Sequence, residues 1–326
     1  MLLSAQKEWV IDTACPTLSC HASTVLPLEN GEVLAAWFGG DAEGADNVDI
    51  YIARRVGAVW YPPKRISAND ALPHWNPVLF RAADGSVILF FKVGKKIAHW
   101  QTWFVRSFDL GATWSRPAEL SPGDTSGGRG PVKNKPIRLE DGTILAPASS
   151  EQPDWLAFID LSHDDGKTWE KQPVIPAPRL KSGRQIAMIQ PTLWQSAPQQ
   201  VHALLRTNKG RVWRSDSADG GKSWCEAYPT ALKNPNSGID LDRLPDGRLF
   251  LAYNPCPRSW GERAPLVLSV SEDNGESWRE LVTLERRKMP DDEYSYPAVV
   301  ADGNTLHITY TWMRRKIVYW RIEIDA

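Results

Sequence analysis

Four stretches of this sequence share one pattern: Ser107-Phe-Asp-Leu-Gly-Ala-Thr-Trp114, Ser162-His-Asp-Asp-Gly-Lys-Thr-Trp169, Ser217-Ala-Asp-Gly-Gly-Lys-Ser-Trp224 and Ser271-Glu-Asp-Asn-Gly-Glu-Ser-Trp278. Each reads S-x-D-x-G-x-[ST]-W, and their starts lie 55, 55 and 54 residues apart. The pattern has a local logic. The aspartate accepts backbone N–H bonds inside a turn, the glycine supplies a left-handed backbone, and the tryptophan covers the hairpin with apolar surface. Repetition at constant spacing makes the octets structural turns between strands rather than catalytic groups.

A second set of turns interleaves with the first. Asn30-Gly31, Asp84-Gly85, Asp141-Gly142, Asp246-Gly247 and Asp302-Gly303 join apolar runs such as Ser86-Val-Ile-Leu-Phe-Phe91, a hairpin signal. One gap of double length is filled by Ser196-Ala-Pro-Gln-Gln200. The chain therefore divides into six units of about 54 residues, and six units of four short strands predict an all-β, six-bladed β-propeller. No linker interrupts it, so residues 1–326 read as a single domain. The apolar segment Trp9-Val10-Ile11 has no hairpin of its own. It is expected to add the outer strand of the last blade beside Ile317–Ile324 and close the ring.

Composition agrees with this. The 326 residues include 16 Trp, 23 Gly and 25 Pro, with Gly/Pro punctuation throughout. Lys plus Arg (38) nearly balance Asp plus Glu (39), which argues against a nucleic-acid binder with a broad basic face. No apolar run is long enough for a membrane span, and residues 1–8 lack a signal-peptide pattern, so a cytoplasmic location is expected. Cys15, Cys20, Cys225 and Cys256 form no CxxC pair and have no histidine at zinc spacing. They read as free buried thiols, with no metal or cofactor implied.

The repeat serves as a ruler for the axial funnel, where propellers take ligands. Nine residues before each turn glycine stand Ala22, Asn76, Lys133, Gly238 and Tyr294, with Gln190 beside the atypical turn. Seven after stand Phe38, Lys92, Ser149, Asn254 and Tyr310, with Arg206 in the fourth unit. Slips of a residue or two add His21, His74, Asn134, Lys135, Asp240 and Tyr296. The loops between second and third strands share this face. They bring the acidic Gly39–Asn47 and the segment Asn254–Arg263, while Gly127–Lys135 brings Arg129 and two lysines to the same rim. Guanidinium groups converging from different blades suit a carboxylate or sulfate, because arginine offers planar bidentate donors. The octets are expected on the opposite face.

These boxes resemble those of the sialidase (neuraminidase) superfamily of six-bladed propellers, over nearly the whole chain. That resemblance implies a substrate carboxylate held by three arginines, a tyrosine nucleophile paired with a glutamate, and a loop aspartate as acid/base. Arg206, in Leu204-Leu205-Arg206, matches the second arginine and Arg263 resembles the third. Tyr294, in Glu293-Tyr294-Ser295, matches the nucleophile, and the aspartate falls near Asp46. Two positions depart from the pattern. His21 stands where the first arginine would be, and Gln190 stands for the glutamate. Glutamine cannot take the proton of a tyrosine, and histidine is a weaker carboxylate anchor than arginine.

Three functions follow as expectations. The first is a glycoside hydrolase acting on a terminal acidic sugar. Its catalytic group would be Tyr294, Asp46, Gln190 and His21, with Arg206, Arg263, Arg129, Asn76, Lys135 and Tyr296 binding the substrate. The second is a uronate lyase acting by β-elimination, which needs no glutamate and could use His21, His74 or His99 as base. The third is a non-catalytic binder of acidic sugars that stacks them on Trp75, Trp100, Trp194, Trp260 or Trp312. In each case the partner is an acidic sugar, not a nucleic acid or a membrane. Oligomeric state is not readable from the sequence.

Overall fold

The computed structural model describes residues 2–11, 15–67, 71–124, 126–151 and 154–325. Twenty-five strands and one short 3-10 turn (Ile97–His99) are assigned among them. The strands form six antiparallel sheets, one per blade. Blade 1 holds β2 (Ser19–Pro27), β3 (Val33–Gly40), β4 (Asp49–Val56), β5 (Val59–Trp60) and β6 (Lys64–Arg65). Blade 2 runs β7 (His74–Arg81), β8 (Val87–Val93), β9 (Gln101–Ser107) and β10 (Ala118–Glu119). Blade 3 runs β11 (Ile137–Arg138), β12 (Ile144–Ser150), β13 (Leu156–Ser162) and β14 (Glu170–Lys171). Blade 4 holds β15 (Met188–Ala197), β16 (Gln200–Thr207), β17 (Arg211–Ser217) and β18 (Tyr228–Lys233). Blade 5 holds β19 (Asp240–Arg243), β20 (Leu249–Tyr253), β21 (Leu266–Ser271) and β22 (Arg279–Glu285).

Blade 6 combines β23 (Tyr294–Asp302), β24 (Thr305–Trp312) and β25 (Lys316–Ile324) with the N-terminal β1 (Leu2–Trp9). The closing strand thus begins earlier than Trp9–Ile11. It pairs from Leu2↔Ile324 to Trp9↔Val318. Its polar run hid it in the sequence because an outer strand stays half in water. Val10 and Ile11 instead turn inward, into the cluster between blades 6 and 1.

Central strands such as β8 are apolar on both faces because each blade is covered on both sides. Six apolar clusters form the core, one between each pair of neighbouring blades. The octets lie between third and fourth strands of blades 2 to 5. In the first, Asp109 accepts from the Thr113 backbone N–H at 2.8 Å, and the Gly111 N–H donates to Ser107 Oγ at 2.7 Å. Three of the tryptophans donate Nε1–H to the octet glycine carbonyl at 3.1 Å. These turns touch the first hairpin of the neighbouring blade, as in Ala83 N–H to Asp165. They therefore sit at the end of the ring away from the arginines described next.

All four cysteines are free, but only Cys20 is fully buried, and Cys225 is exposed. Cys225 follows an octet tryptophan in blade 4 and is exposed, its sulfur accepting from the Asp216 N–H at 3.3 Å.

Candidate active site

At the other end of the axis the innermost strands carry β-bulges. Ladder register shifts between His21 and Thr24, Trp75 and Val78, Ile189 and Thr192, and Ser295 and Ala298. Inside these bulges Ala22, Asn76, Gln190 and Tyr296 have φ of 53°, 41°, 53° and 54°, and Lys133 of blade 3 has 76°. Proline follows at 77, 191 and 297, where the bulge leaves no ladder partner for an N–H. A left-handed backbone costs a non-glycine residue about 1–2 kcal/mol. Repeating that cost around one rim aims successive side chains at the axis, and such strain gathers at functional sites. Blade 5 contributes Gly238, where a Cβ would stand 3.1 Å from Lys133 Cε and 3.2 Å from the Tyr296 ring. Glycine is needed there because those two side chains meet across the axis.

Tyr296 is the centre of the group. Its hydroxyl accepts from Arg206 Nη1 at 2.7 Å, and its ring lies within 6.0 Å of the charged groups of Arg206, Arg263 and Lys133. His21 leans on it with ring centroids 4.3 Å apart. Arg206 also binds Gln190 Oε1 at 3.1 Å and Asn236 Oδ1 at 3.1 Å. The Trp155 ring lies 5.6 Å from its guanidinium, and Trp260, an exposed residue, meets Trp155 edge-on at 6.0 Å.

A third guanidinium was not foreseen. Arg314, in the β24–β25 turn with φ 56°, donates Nε–H to Glu293 at 2.8 Å and pairs with Glu43 of the β3–β4 loop. Arg263 reaches the same Glu293 oxygen at 3.1 Å. The signal was available, since this turn is a connection between second and third strands like those examined in blades 1 and 5.

Charge shapes the titratable groups here. Burial first, then Arg314, Arg263, Arg206 and Lys133, push His21 well below its ordinary range, so its imidazole is neutral at pH 7. Nδ1 meets the Thr311 hydroxyl at 2.9 Å, and Nε2 is buried without a partner. Burial also brings the Lys133 ammonium down to about 7, although it donates to the carbonyls of Ile239 and Pro297. Glu151, at the end of β12, is raised by burial despite the opposing field of Arg206. Burial pushes Glu293 up, but the Arg314 and Arg263 guanidiniums outweigh it and hold the carboxyl below its usual range.

The structure thus brings together His21, Gln190, Arg206, Arg263 and Tyr296. It places other expected residues elsewhere. Tyr294 packs in the cluster between blades 5 and 6, near Trp312, and burial plus a hydrogen bond to Asp292 lifts its phenol to about 12. The ruler slipped by two residues because blade 6 closes its hairpin with Gly303-Asn304 alone (Asp302↔Thr305), whereas blade 1 uses five residues between Pro27 and Val33. Arg129 is not at the rim. It binds Asp160 at 3.0 Å, Asp124, and the Trp169 carbonyl at 3.2 Å, tying blade 2 to blade 3. Lys135 crosses the channel to Asp240 at 3.3 Å and the Leu241 carbonyl at 2.7 Å, so its charge is already paired. Lys92 donates to Thr102 at 2.6 Å and to the Arg129 carbonyl, and Tyr310 donates to Glu285 at 2.6 Å, both away from the axis. Asn76 is buried in its bulge. Asp46 is exposed on the rim loop, 2.9 Å from Lys95 Nζ.

Residues 31–308 match the family described as BNR repeat-like domain. The chain belongs to that family. Its six-bladed propeller fold is shared with solved sialidases. A protein of unknown function from Dyadobacter fermentans superposes with a TM-score of 0.77 at 17% identity, covering 98% of this chain and 99% of that one. The NanB sialidase of Streptococcus pneumoniae gives 0.73 at 10% identity, covering 97% of this chain and 70% of that one. A Trypanosoma rangeli sialidase in complex with the inhibitor DANA gives 0.74 at 14%, covering 98% and 60%. At these identities the likeness establishes the fold alone. No functionally curated protein matches the sequence. The BNR propeller therefore takes its chemistry from its own residues.

Proposed function

We propose that this BNR propeller cleaves a glycosidic bond to a terminal acidic sugar by hydrolysis. The observation that supports this reading is the placement of Arg206 and Arg263 beside Tyr296, with Arg314 joined to Arg263 through their shared partner Glu293. Two guanidinium charges about 4 Å from a carboxylate each contribute about 4 kcal/mol at an effective dielectric of 20, before desolvation is subtracted. Tyr296 takes the nucleophile's role first assigned to Tyr294. Arg206 donates to its oxygen, so the phenol proton is free to leave toward another acceptor. The imidazole of neutral His21, packed on the Tyr296 ring, is a candidate acceptor through Nε2 in the tautomer whose proton sits on Nδ1 toward Thr311, which would offset the loss of the glutamate at Gln190. Two rim carboxyls can protonate the leaving oxygen: Asp46, and Glu151 with its raised pKa.

One observation favours a second reading, β-elimination from a uronate. The same neutral imidazole, next to a carboxylate-binding cluster, suits abstraction of the acidified C–H. Incubation with acidic oligosaccharides separates the two, since elimination leaves an unsaturated sugar that absorbs in the near UV and hydrolysis does not. Binding is the prior test. Arg206→Ala should weaken an acidic sugar about 100-fold while changing its neutral methyl ester little. Equal losses for both ligands would remove the carboxylate reading.

A further inference from the structure

The edge of blade 4 carries a constellation that the funnel does not use. Ser196 closes β15 at the turn into β16, and its Oγ lies 2.7 Å from His202 Nε2. His202 Nδ1 faces the Asp216 carboxylate, directly across the ladder on β17. Trp194 stacks on the imidazole at 4.8 Å and 28°, fixing the ring plane.

The hydrogen bonds assign the tautomer. The Trp194 indole can only donate, and it donates to Asn274 Oδ1 at 2.7 Å, so the Asn274 amide nitrogen is what faces His202 Nε2 at 3.3 Å. Nε2 is therefore an acceptor, and the ring proton sits on Nδ1, toward Asp216. Burial alone would raise the Asp216 carboxyl. Hydrogen bonds from His202, Tyr228 and Arg214 overcome it, and the group stays ionised. The contact of Arg214 Nη2 with Nδ1 at 3.2 Å is secondary, since Nε of that side chain binds Asp216 and Nη1 binds the Asn274 carbonyl and Glu276.

We propose that Ser196, His202 and Asp216 form a nucleophilic triad that hydrolyses carboxylic esters, separate from the funnel and independent of its chemistry. The roles follow from the geometry. Ser196 Oγ attacks the acyl carbon and its proton passes to His202 Nε2. That proton then leaves with the alcohol as the carbon–oxygen bond breaks. Water repeats the sequence on the acyl-serine, giving the free acid and restoring the serine. The Asn274 amide, which meets His202 Nε2 at 3.3 Å, is the proposed donor to the tetrahedral oxyanion through its second hydrogen. Ser196 is only partly covered, so an acyl carbon can reach it. Trp194 and Gln195 also line a cavity of about 430 Å³ with Arg138, Glu140, Asp242 and Arg243. Ser196 and His202 do not line that cavity, and Ser196 is reached instead from solvent at the β15–β16 turn, so the substrate class is a small-acyl ester.

The test uses the full chain with a fluorophosphonate probe and, separately, p-nitrophenyl acetate. Peptide mapping should find the label on Ser196. Ser196→Ala should abolish labelling and lower ester turnover at least about 100-fold, and Asp216→Asn should lower it similarly through the wrong tautomer. Amide NMR spectra matching the wild type would show that the variants are folded. Absence of label, label on another residue, labelling without turnover, or undiminished turnover in Ser196→Ala would each overturn the proposal.

Discussion

Replacing Tyr296 by phenylalanine removes one oxygen from the centre of the arginine cluster, and the same change at Tyr294 removes one from an inter-blade core. If the funnel is catalytic, Tyr296→Phe should lower turnover of an acidic glycoside by a factor of 100 or more, and Tyr294→Phe should leave it within about threefold. Steady-state kinetics on both variants checks the assignment, and the reverse ranking would return the role to Tyr294. The sequence showed two tyrosines separated by one serine, and a ruler based on turn glycines chose the wrong one. Hairpin length is set by local turn geometry, which the ruler held constant. Arg206 was legible because it stands at a regular strand end, and Arg263, His21 and Gln190 because the resemblance carried them residue by residue. Arg314 was not. Its left-handed turn and its partners Glu43 and Glu293, on other blades, are products of tertiary contact.

The octet turn is a self-contained element. Asp219 accepts from the backbone N–H groups of Lys222 and Ser223 and from the Ser217 and Ser223 hydroxyls. Because every partner is local, the motif could be read as a turn without any knowledge of the fold. Asp219→Ala should lower Tm by about 1–2 °C, the shift expected for losing about 1 kcal/mol in a chain of this size, and leave acidic-sugar affinity unchanged. Calorimetry paired with ligand titration measures both, and a large affinity loss would place the octet nearer the ligand than its contacts indicate. The octet carboxyls of Asp164 and Asp273 are held down to about 2, mainly by these local bonds working against burial in Asp164. A depressed carboxyl contributes its stability above the unfolded value near 3.9, and that contribution disappears as pH falls from there toward 2.

For the whole molecule, buried histidines set a second acid window. Burial brings His307 down to about 4, and it contacts the Tyr319 hydroxyl at 2.8 Å in the core of blade 6. His21 moves in the same direction. A base with a depressed folded pKa binds its proton more readily when unfolded. Stability is therefore intact above the ordinary histidine value near 6.5 and falls as pH drops from there toward 4, by up to about 3 kcal/mol for His307. Urea midpoints measured at pH 7 and pH 4.5 should show that fall, and equal midpoints would mean that these rings are solvated. The ring itself was legible because six units repeat. The N-terminal segment was placed correctly beside β25, but the polar start of its strand at Leu2 was not legible, since the alternation of an outer strand is weak when one side faces water.

That closure has a mechanical meaning. β1 and β25 are antiparallel, with Leu2 opposite Ile324, so the two ends of the chain leave the sheet side by side. Tension applied to those ends would load the pairing one rung at a time, as on a zipper, instead of shearing all rungs together. Under force the ring should open first at this seam and then shed blade 6, leaving the octet-bearing blades 2 to 5 to yield later. A molecule tethered by its two ends in an optical trap should accordingly give an early, low-force extension of about the length of β1, ahead of the main rupture.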